Sequence, residues 1–428
     1  MQESCCSSSD GDPVVNRPRL ARAHRWKVLG VGVVANAGFM AAANGLPATA
    51  VWLRSAYRLD NAGLGLLLGS LGIGIALSEL PWGSAADRWG DRRVLLFGLS
   101  ATALILLIAA LFIAPGPRRT PSLAAAMACM GLAGVAGGSV NGASGRAIMR
   151  WFHENERGLA MSIRQTAVPL GGGLGALLLP TLAVHAGFDW VYGVLAALCG
   201  TSAVLTWRWL HEPPETSPHS NDLPSRSIRS PLRSIRVWRV ASAIGVLCAP
   251  QFAILSFTSV FLHDAIHVGL QGISLTLCVV QIGAMVARIW SGRATDRNRN
   301  RQEWLRSCTL FAAASFIPLA VCSATQFAAP ASLVMAAVAL AGVVISAWHG
   351  VAYAELASLA GAERAGTALG LANTLVFIAY FLTPAVIPHL LGRANNWVAV
   401  WSCAGALSLV AWILFPAAEA RTTSAAVE

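Results

Sequence analysis

The sequence predicts an all-α membrane protein whose twelve transmembrane helices form two six-helix bundles related by pseudo-symmetry. Three observations support this fold class. The chain has 428 residues, of which 55% are hydrophobic and only 12% charged, whereas a soluble domain has about 25% charged residues. Twelve apolar stretches each approach the ~20 residues needed to cross a bilayer. Landmarks of the first half of the chain recur in the second half.

The internal repeat has a period of just under half the chain. Three landmarks of different chemistry share nearly the same interval, so each copy is a domain-sized unit rather than a short solenoid repeat. They are Gly83–Arg88 against Gly292–Arg297 (Asp87 to Asp296, 209 residues), Glu156-Arg157 against Glu363-Arg364 (207), and Asp189-Trp190 against Asn396-Trp397 (207).

Each apolar stretch is expected to be a helix. The stretches are continuous rather than alternating, and they are too long for the strands of a membrane barrel. The predicted helices run over 28–50, 63–84, 94–114, 122–147, 158–184 and 188–210 in the first copy, and over 238–262, 270–291, 305–324, 329–352, 366–390 and 396–416 in the second.

Polar segments divide the chain into five parts. A tail at 1–26 precedes a six-helix bundle at 27–210, and a second bundle at 237–416 precedes a tail at 417–428. The segment 211–236 between the bundles contains five prolines and four arginines. Its proline and serine content predicts a polar linker.

Basic residues predict how the chain is oriented. They are concentrated in the N-terminal tail, in the linker and in the links after helices 2, 4 and 8. Cytoplasmic loops carry the excess of Lys and Arg, so both termini and the linker are expected in the cytoplasm of a cell with a bacterial inner membrane. Contact with anionic lipid headgroups also accounts for the net charge of +11, and no motif indicates nucleic acid as a partner.

The single lysine excludes several classes of function. Lys27 follows Trp26, so the chain has no Gly-Lys-Ser/Thr loop to cradle the phosphates of a nucleotide. The sequence also has no haem or paired zinc signature, and the spacing of His263 and His267 alone does not make a metal site. We therefore expect neither an enzyme nor a cofactor or metal.

Two loop motifs resemble the signature of the major facilitator superfamily. The pattern Gly83-x-x-x-Asp87-Arg88-x-Gly90-x-Arg92-Arg93 lies between helices 2 and 3, and a shorter copy, Gly292-x-x-x-Asp296-Arg297, lies between helices 8 and 9. One position departs from the family, because Asp91 stands where a basic residue is common. The resemblance covers residues 27–416 and implies the major facilitator fold, a monomer and transport by alternating access.

A longer segment at the start of helix 5 resembles one branch of that superfamily. Residues 150–173, which include Glu156-Arg157 and Arg164-Gln165-Thr166, are similar to the cyanate-permease and nitrate/nitrite-porter-like branch, whose members are linked to small anions. The same segment partly matches the Gly-Pro-x-x-Gly-Gly pattern of drug/proton antiporters, at Pro169, Gly172 and Gly173. Both directions of transport therefore stay open.

The resemblance implies gating residues near the cytoplasmic ends of the helices. Asp87 would hold that side closed, although its neighbouring arginines are also ordinary cytoplasmic-side residues. Glu79 and Glu355 either carry a coupling proton or pair with arginine. The gating candidates are Gly83, Asp87, Arg88, Gly90, Arg92, Arg93, Asp296, Arg297, Glu156, Arg157 and Glu355.

Polar residues inside the apolar helices are candidates for substrate binding, because such carriers bind near the midplane between repeats. His349 either contacts substrate or is a satisfied interhelical histidine. The candidates are Arg164, Gln165, Asn36, Asn141, Gln251, Gln281, His349, Asn373 and Tyr380.

Arg164 is the most specific of these candidates. It lies about six residues inside helix 5, or roughly 9 Å along the axis. Arginine at the centre of a bilayer costs at least ~2.5 kcal/mol, so it should face an internal cavity, where its planar guanidinium suits an oxyanion. The alternative is that it extends to the headgroups or pairs with Glu156 or Glu355.

Together these observations predict a secondary active transporter that moves a small organic or inorganic anion across the membrane, coupled to protons. The alternatives are a drug/proton antiporter and, more distantly, a membrane sensor on the same scaffold.

Overall fold

The computed structural model describes residues 17–116, 120–152, 160–161, 163–211, 231–298, 300–325, 329–360, 365–392 and 396–416. Within these residues, twelve helices are long and apolar enough to span a membrane, which confirms the fold class. Outside the described residues lie positions 1–16 of the predicted tail at 1–26, the whole predicted tail at 417–428, most of the linker, and Glu156 with Arg157. The side chains of Asp87 and Asp296 also lie outside them.

The helices fall into two groups of six. They are α1 His24–Ala56, α2 Asn61–Ala86, α3 Asp91–Ile113, α4 Leu123–Ile148, α5 Ile163–His185 and α6 Phe188–Trp209 in the first half, and α7 Ile235–Ala265, α8 Leu270–Thr295, α9 Arg301–Ala324, α10 Ala331–Ala360, α11 Thr367–Leu391 and α12 Trp397–Leu414 in the second.

Three helices are clearly longer than the apolar stretches that predict them. The helix α1 continues to Ala56 through a π-helical turn at Ala41–Gly45 and a 3₁₀ turn at Leu46–Thr49. The helix α7 likewise begins earlier and ends later than 238–262, and α10 runs on to Ala360. Hydropathy follows the lipid boundary, whereas a helix continues for as long as its backbone hydrogen bonds do. The helix ends therefore carry polar residues that the apolar pattern omits.

The two ends of the bundle need names. We call the end that holds the loops Gly83–Arg93 and Gly292–Arg301 the motif side, and the end that holds Arg54 and Asp264 the far side.

On the far side, α2 packs against α11 through glycines, so that no side chain of α2 lies between the two backbones at these positions. A Cβ added to Gly65 would overlap the Pro384 carbonyl group, and one added to Gly69 would lie 2.8 Å from the carbonyl oxygen of Phe381. Glycine permits this approach because it has no Cβ. The halves are thus sealed there almost backbone to backbone.

A charged contact also joins the halves on the far side. Arg54, near the end of α1, forms an ion pair with Asp264, near the end of α7, at 2.7 Å between Nη1 and Oδ2. Deeper in the bundle, the Ser259 hydroxyl of α7 donates to the Pro47 carbonyl oxygen of α1 at 3.2 Å.

On the motif side, an ion pair holds the loop between α2 and α3. Asp91 is 4% exposed, and its carboxylate lies 2.6 Å from Arg146 Nε of α4 and 3.6 Å from Arg150 Nη1. Arg146 also donates through Nη2 to the Ala86 carbonyl oxygen at the end of α2. The turn itself requires glycine, because Gly90 has a φ of 84°. The acidic residue at this position is therefore built into the fold of the first half.

Candidate functional site

Buried charged residues from both halves lie around Tyr353, a residue of α10. The Tyr353 hydroxyl is within electrostatic range of Glu79, Arg164 and Arg288. These three side chains are 8%, 5% and 8% exposed, respectively. Charges so deep in a membrane bundle are costly unless they are paired or functional, so this cluster is the candidate site.

Arg164 is held by α4, its neighbour within the first half. Its Nε donates to the Ser144 hydroxyl at 3.0 Å, and its Nη2 donates to the Asn141 carbonyl oxygen at 2.6 Å. The acidic residue that acts on its charge is Glu79 of α2, although the two do not form a direct ion pair among the described contacts. The guanidinium is therefore fixed in place by neutral acceptors and is not neutralised at contact distance.

Glu79 connects the first half to the second. Its Oε1 accepts a hydrogen bond from Asn373 Nδ2 of α11 at 3.0 Å. Asn373 is held in turn by Tyr353, whose hydroxyl donates to Asn373 Oδ1 at 2.9 Å. Within the described residues, the second carboxylate oxygen, Oε2, has no hydrogen-bond partner although it is buried.

Arg288, in α8, is the second buried cation. Its Nε has no hydrogen-bond partner in the part of the chain that the structure describes. The groups that act on its charge there are the Cys248 thiol of α7 and the Tyr353 hydroxyl, rather than a carboxylate. His349 of α10 also lies within reach of its charge. The site thus contains two cations and one carboxylate.

Arg288 is not among the candidates predicted from the sequence, although the repeat contains a signal for it. Arg288 follows Glu79 by 209 residues, the same interval that separates Asp87 from Asp296. The two residues therefore occupy equivalent positions on α2 and α8 and carry opposite charges. Extending the alignment of the two motifs back by eight residues would have revealed this pair.

The remaining candidates for substrate binding fall into two groups, of which the first lies close to the charged cluster. Asn373 and the Asn141 carbonyl are part of it, and Gln165 is partly buried beside Arg164 in α5. His349 stacks on Trp348 at a centroid distance of 3.8 Å, and its Nδ1 lies 3.3 Å from the Ser346 carbonyl oxygen.

The second group lies elsewhere in the interface. Gln281 packs on Gly172 and Gly173, and the Tyr380 hydroxyl donates to the Ala43 carbonyl oxygen. Both side chains therefore join the two halves directly. Gln251 donates to the Ser346 hydroxyl at 3.3 Å. Asn36 is fully buried in α1, and neither of its amide atoms has a partner among the described residues.

Beyond Tyr380 the interface is closed toward the far side. A cavity of about 10 Å³ lies between α1, α2, α7 and α11, lined in part by Asn44 and Tyr380. That volume holds about one water molecule. The glycine contacts of α2 with α11 and the Arg54–Asp264 ion pair close the interface between this cavity and the far side.

The gating candidates that the structure describes lie on the motif side. Arg88, Arg93 and Arg297 are exposed, and Arg92 Nη2 donates to the Trp207 carbonyl oxygen at 2.7 Å. Glu355 accepts a hydrogen bond from Gln302 at 2.9 Å. A Cβ at Gly83 or Gly292 would meet no described atom within 4 Å, so neither glycine is required by a close contact in this state.

The chemistry of the cluster is that of oxyanion binding. Two guanidinium groups provide up to ten N–H donors in planar forks that match carboxylates and phosphates. Because Glu79 is the one carboxylate among the described residues of the cluster, the cluster has an excess of one positive charge. Among the described residues no group of His, Cys, Asp and Glu could hold a metal ion.

Comparison with known proteins agrees with this architecture. The model of the Major Facilitator Superfamily matches residues 31–384. An uncharacterized MFS-type transporter of Mycobacterium tuberculosis is 29% identical over 92% of this chain and 85% of its own length. A probable anion transporter of Oryza sativa subsp. japonica is 29% identical over 41% of this chain and 38% of its own length. The glycerol-3-phosphate transporter of Haemophilus influenzae is 22% identical over 56% of each chain. Twelve membrane-length helices and a family match over most of the chain lead to one conclusion: the chain belongs to the Major Facilitator Superfamily.

Proposed function

We propose that this transporter moves a small organic or inorganic anion across a bacterial inner membrane by alternating access, coupled to protons. The observation that carries the proposal is the unbalanced charge of the buried cluster around Tyr353, which contains the guanidinium groups of Arg164 and Arg288 but a single carboxylate, that of Glu79. An unpaired buried cation is strongly unfavourable. A bound anion would supply the missing charge.

Two similarities support an anion as substrate. Relatives at low identity include proteins named as probable anion transporters and a glycerol-3-phosphate transporter. The segment at the start of α5 resembles the cyanate-permease and nitrate/nitrite-porter-like branch, and it is this segment that contributes Arg164. The same residue thus carries both the physical and the family argument.

Alternating access explains why the site lies between the halves. Glu79 and Arg164 belong to the first half, whereas Arg288, Tyr353 and Asn373 belong to the second. Rocking of one half against the other would open this cluster to each side of the membrane in turn. We expect a monomer to suffice, because every group of the cluster comes from one chain.

A thermal-shift screen of the purified protein tests the substrate class. Acetate, oxalate, sulfate and phosphate serve as anionic probes, and ethidium and tetraphenylphosphonium as lipophilic cations. A ligand that binds the folded state raises the melting temperature, and we expect this from at least one anion. Stabilisation by the cations alone would favour the drug/proton antiporter instead.

Sealed proteoliposomes then test transport. With an imposed proton gradient, a radiolabelled form of the stabilising anion should accumulate above its external concentration. Binding without accumulation or exchange would favour the sensor and refute the carrier.

A further inference from the structure

The Glu79 carboxylate is the acidic group of the cluster among the described residues. Arg164 faces it from α5 and Tyr353 from α10, and these are the charged or titratable side chains that act on it among the described residues. The amides of Asn141 from α4 and Asn373 from α11 also face it. An arginine stays protonated in proteins, and a tyrosine stays neutral at physiological pH.

We infer that Glu79 carries the coupling proton, and that the anion binds between Arg164 and Arg288 together with protonation of Glu79. This inference rests on the proposed function. It adds the residue that binds the proton, and it adds that this residue is neutralised when the anion binds. It predicts symport, in which one proton crosses with each anion.

The first argument is electrostatic. An anion near Arg164 and Arg288 lies in the same field as the Glu79 carboxylate, and two like charges in a poorly solvated site repel strongly. Protonation of Glu79 removes this repulsion and leaves two cations for the anion. Binding of the anion and of the proton therefore favour each other, and this coupling is reciprocal by thermodynamic necessity.

The second argument is geometric. One oxygen of Glu79 is bound to Asn373 across the interface, while the other, Oε2, is buried and has no hydrogen-bond partner within 3.5 Å among the described residues, although the Asn141 amide faces the carboxylate. A carboxylate with both oxygens engaged would have little reason to take up a proton. Oε2 is free to receive one while Oε1 keeps its bond to Asn373.

The third argument concerns the link to conformation. The hydrogen bond between Glu79 and Asn373 joins α2 to α11 toward the motif side. Leu80 of α2 also approaches Gly370 of α11 there, because a Cβ added to Gly370 would lie 4.0 Å from Leu80 Cδ2. A hydrogen bond to an ionised group is roughly twice as strong as a neutral one. Protonation of Glu79 therefore weakens a contact that holds the two halves together on that side.

The proton balance is simple. The proton leaves the aqueous phase on the side from which the anion enters and binds Oε2 of Glu79. After the halves have rocked, the anion dissociates and the proton returns to water on the opposite side. Arg164 and Arg288 keep their protons throughout, so no other group of the cluster has to donate or accept one.

The decisive variant is Glu79→Gln, which keeps the shape and the oxygen that accepts from Asn373 but cannot ionise. Glu79→Asp keeps the carboxylate and serves as the second variant. Glu303→Gln removes an exposed carboxylate of α9, outside the cluster, and is the matched control. Each is purified in detergent and titrated with acetate, oxalate, sulfate and phosphate in weakly buffered solution that contains a pH indicator.

We expect the wild type to take up close to one proton per bound anion, after correction for the ionisation of the anion itself. Glu79→Gln should bind the anion with an affinity that no longer depends on pH and should take up no proton. In proteoliposomes it should exchange the anion but not accumulate it in response to a proton gradient. Glu79→Asp and Glu303→Gln should keep the proton uptake.

Infrared difference spectra give a readout that does not need the anion. A carbonyl band of a protonated carboxylic acid should appear in the wild type as the pH is lowered and should be missing in Glu79→Gln. If that band is unaffected by the substitution, or if Glu79→Gln takes up protons as the wild type does, Glu79 is not the proton site. Anion binding to the wild type without proton uptake would overturn the inference and leave the proposed function standing. If none of the four anions bound to the wild type, the proposed function would fail and the inference with it.

Discussion

The guanidinium of Arg54 forms a bidentate ion pair with the carboxylate of Asp264, with 2.7 Å between Nη1 and Oδ2 and 2.9 Å between Nη2 and Oδ1. The pair joins the far-side ends of α1 and α7. Such bidentate pairs are the strongest of the arginine–carboxylate contacts. Because the pair connects the two halves, it stabilises only those states in which the far side is closed.

The first prediction concerns this pair. Asp264→Ala should shift the equilibrium toward states open on the far side by about fivefold, since a partly exposed pair contributes up to ~1 kcal/mol. Distances between spin labels at Ser55 and His267 measure the shift. A double-mutant cycle with Arg54→Ala isolates the pair itself. If the effects of the two substitutions simply added, the ion pair would have no part in closure.

The second prediction concerns the glycine contact between α2 and α11. Gly65→Ala should open the far side, because the added Cβ would overlap the Pro384 carbonyl group. Gly193→Ala in α6 is the matched control, since a Cβ there meets no described atom within 4 Å, and alanine is favoured over glycine in a helix by about 1 kcal/mol. If the distances between spin labels at Ser55 and His267 in Gly65→Ala equalled those of the wild type, α11 would have moved to accommodate the Cβ without separation of the two halves.

The third prediction concerns the two buried arginines. Arg164→Ala and Arg288→Ala should each weaken anion binding by about ten- to a hundredfold, because a hydrogen bond to a charged group contributes roughly 1.5–3 kcal/mol. Lysine should not restore full affinity at either position, since an ammonium lacks the planar fork. Isothermal titration with the most stabilising anion of the screen measures this.

Arg239 provides the control for that experiment. Its guanidinium donates to the Leu414 and Ile413 carbonyl oxygens at the end of α12, so Arg239→Lys should leave anion affinity unchanged. Unaltered affinity in Arg164→Ala would remove this arginine from the site.

The fourth prediction separates two aspartates of the same loop. Asp91→Asn should lower the melting temperature, because it weakens a largely buried ion pair with Arg146. Asp87→Asn should instead reduce transport strongly and leave membrane expression largely intact, as expected of a gating residue. An Asp87 variant that transports at the wild-type rate would exclude the gating role.

The fifth prediction concerns orientation. Because basic residues accumulate on the motif side, a cysteine introduced at Pro117 should react with a membrane-impermeant reagent in intact cells, whereas one at Ser220 should not. Reaction at position 220 together with protection at 117 would invert the orientation.

The sequence alone predicts the features that repeat along the chain and the charged residues that stand out within membrane-spanning stretches. Apolar stretches located all twelve helices, and the recurring motif paired the halves. Arg164 could be predicted as a site residue, because a cation within an apolar stretch is conspicuous by itself. Arg288 was not predicted, because it lies five residues before Arg293 and nine before Arg297 and so resembles one more arginine of a basic loop.

The roles of uncharged residues were harder to foresee. Tyr353 touches Asn373 and lies near all three charges, yet a tyrosine in an apolar helix has no distinctive pattern. Gln281 and Tyr380 look like binding residues in the sequence, whereas in the structure they pack against the opposite half. The helix face that contacts the opposite half depends on how two segments distant in sequence pack together. The spacing of residues within one helix does not reveal this.

Glu79 and Arg288 occupy equivalent positions in the two halves but differ in charge, so the centre of the molecule is electrically asymmetric whether Glu79 is ionised or protonated. Two equal charges would have left the centre of the molecule without a preferred direction. With this asymmetry, a solute that is anionic at one end and neutral at the other has one favoured orientation. For a carrier whose halves rock about the solute, that orientation persists through the cycle, so selectivity can extend to the shape and handedness of the neutral end.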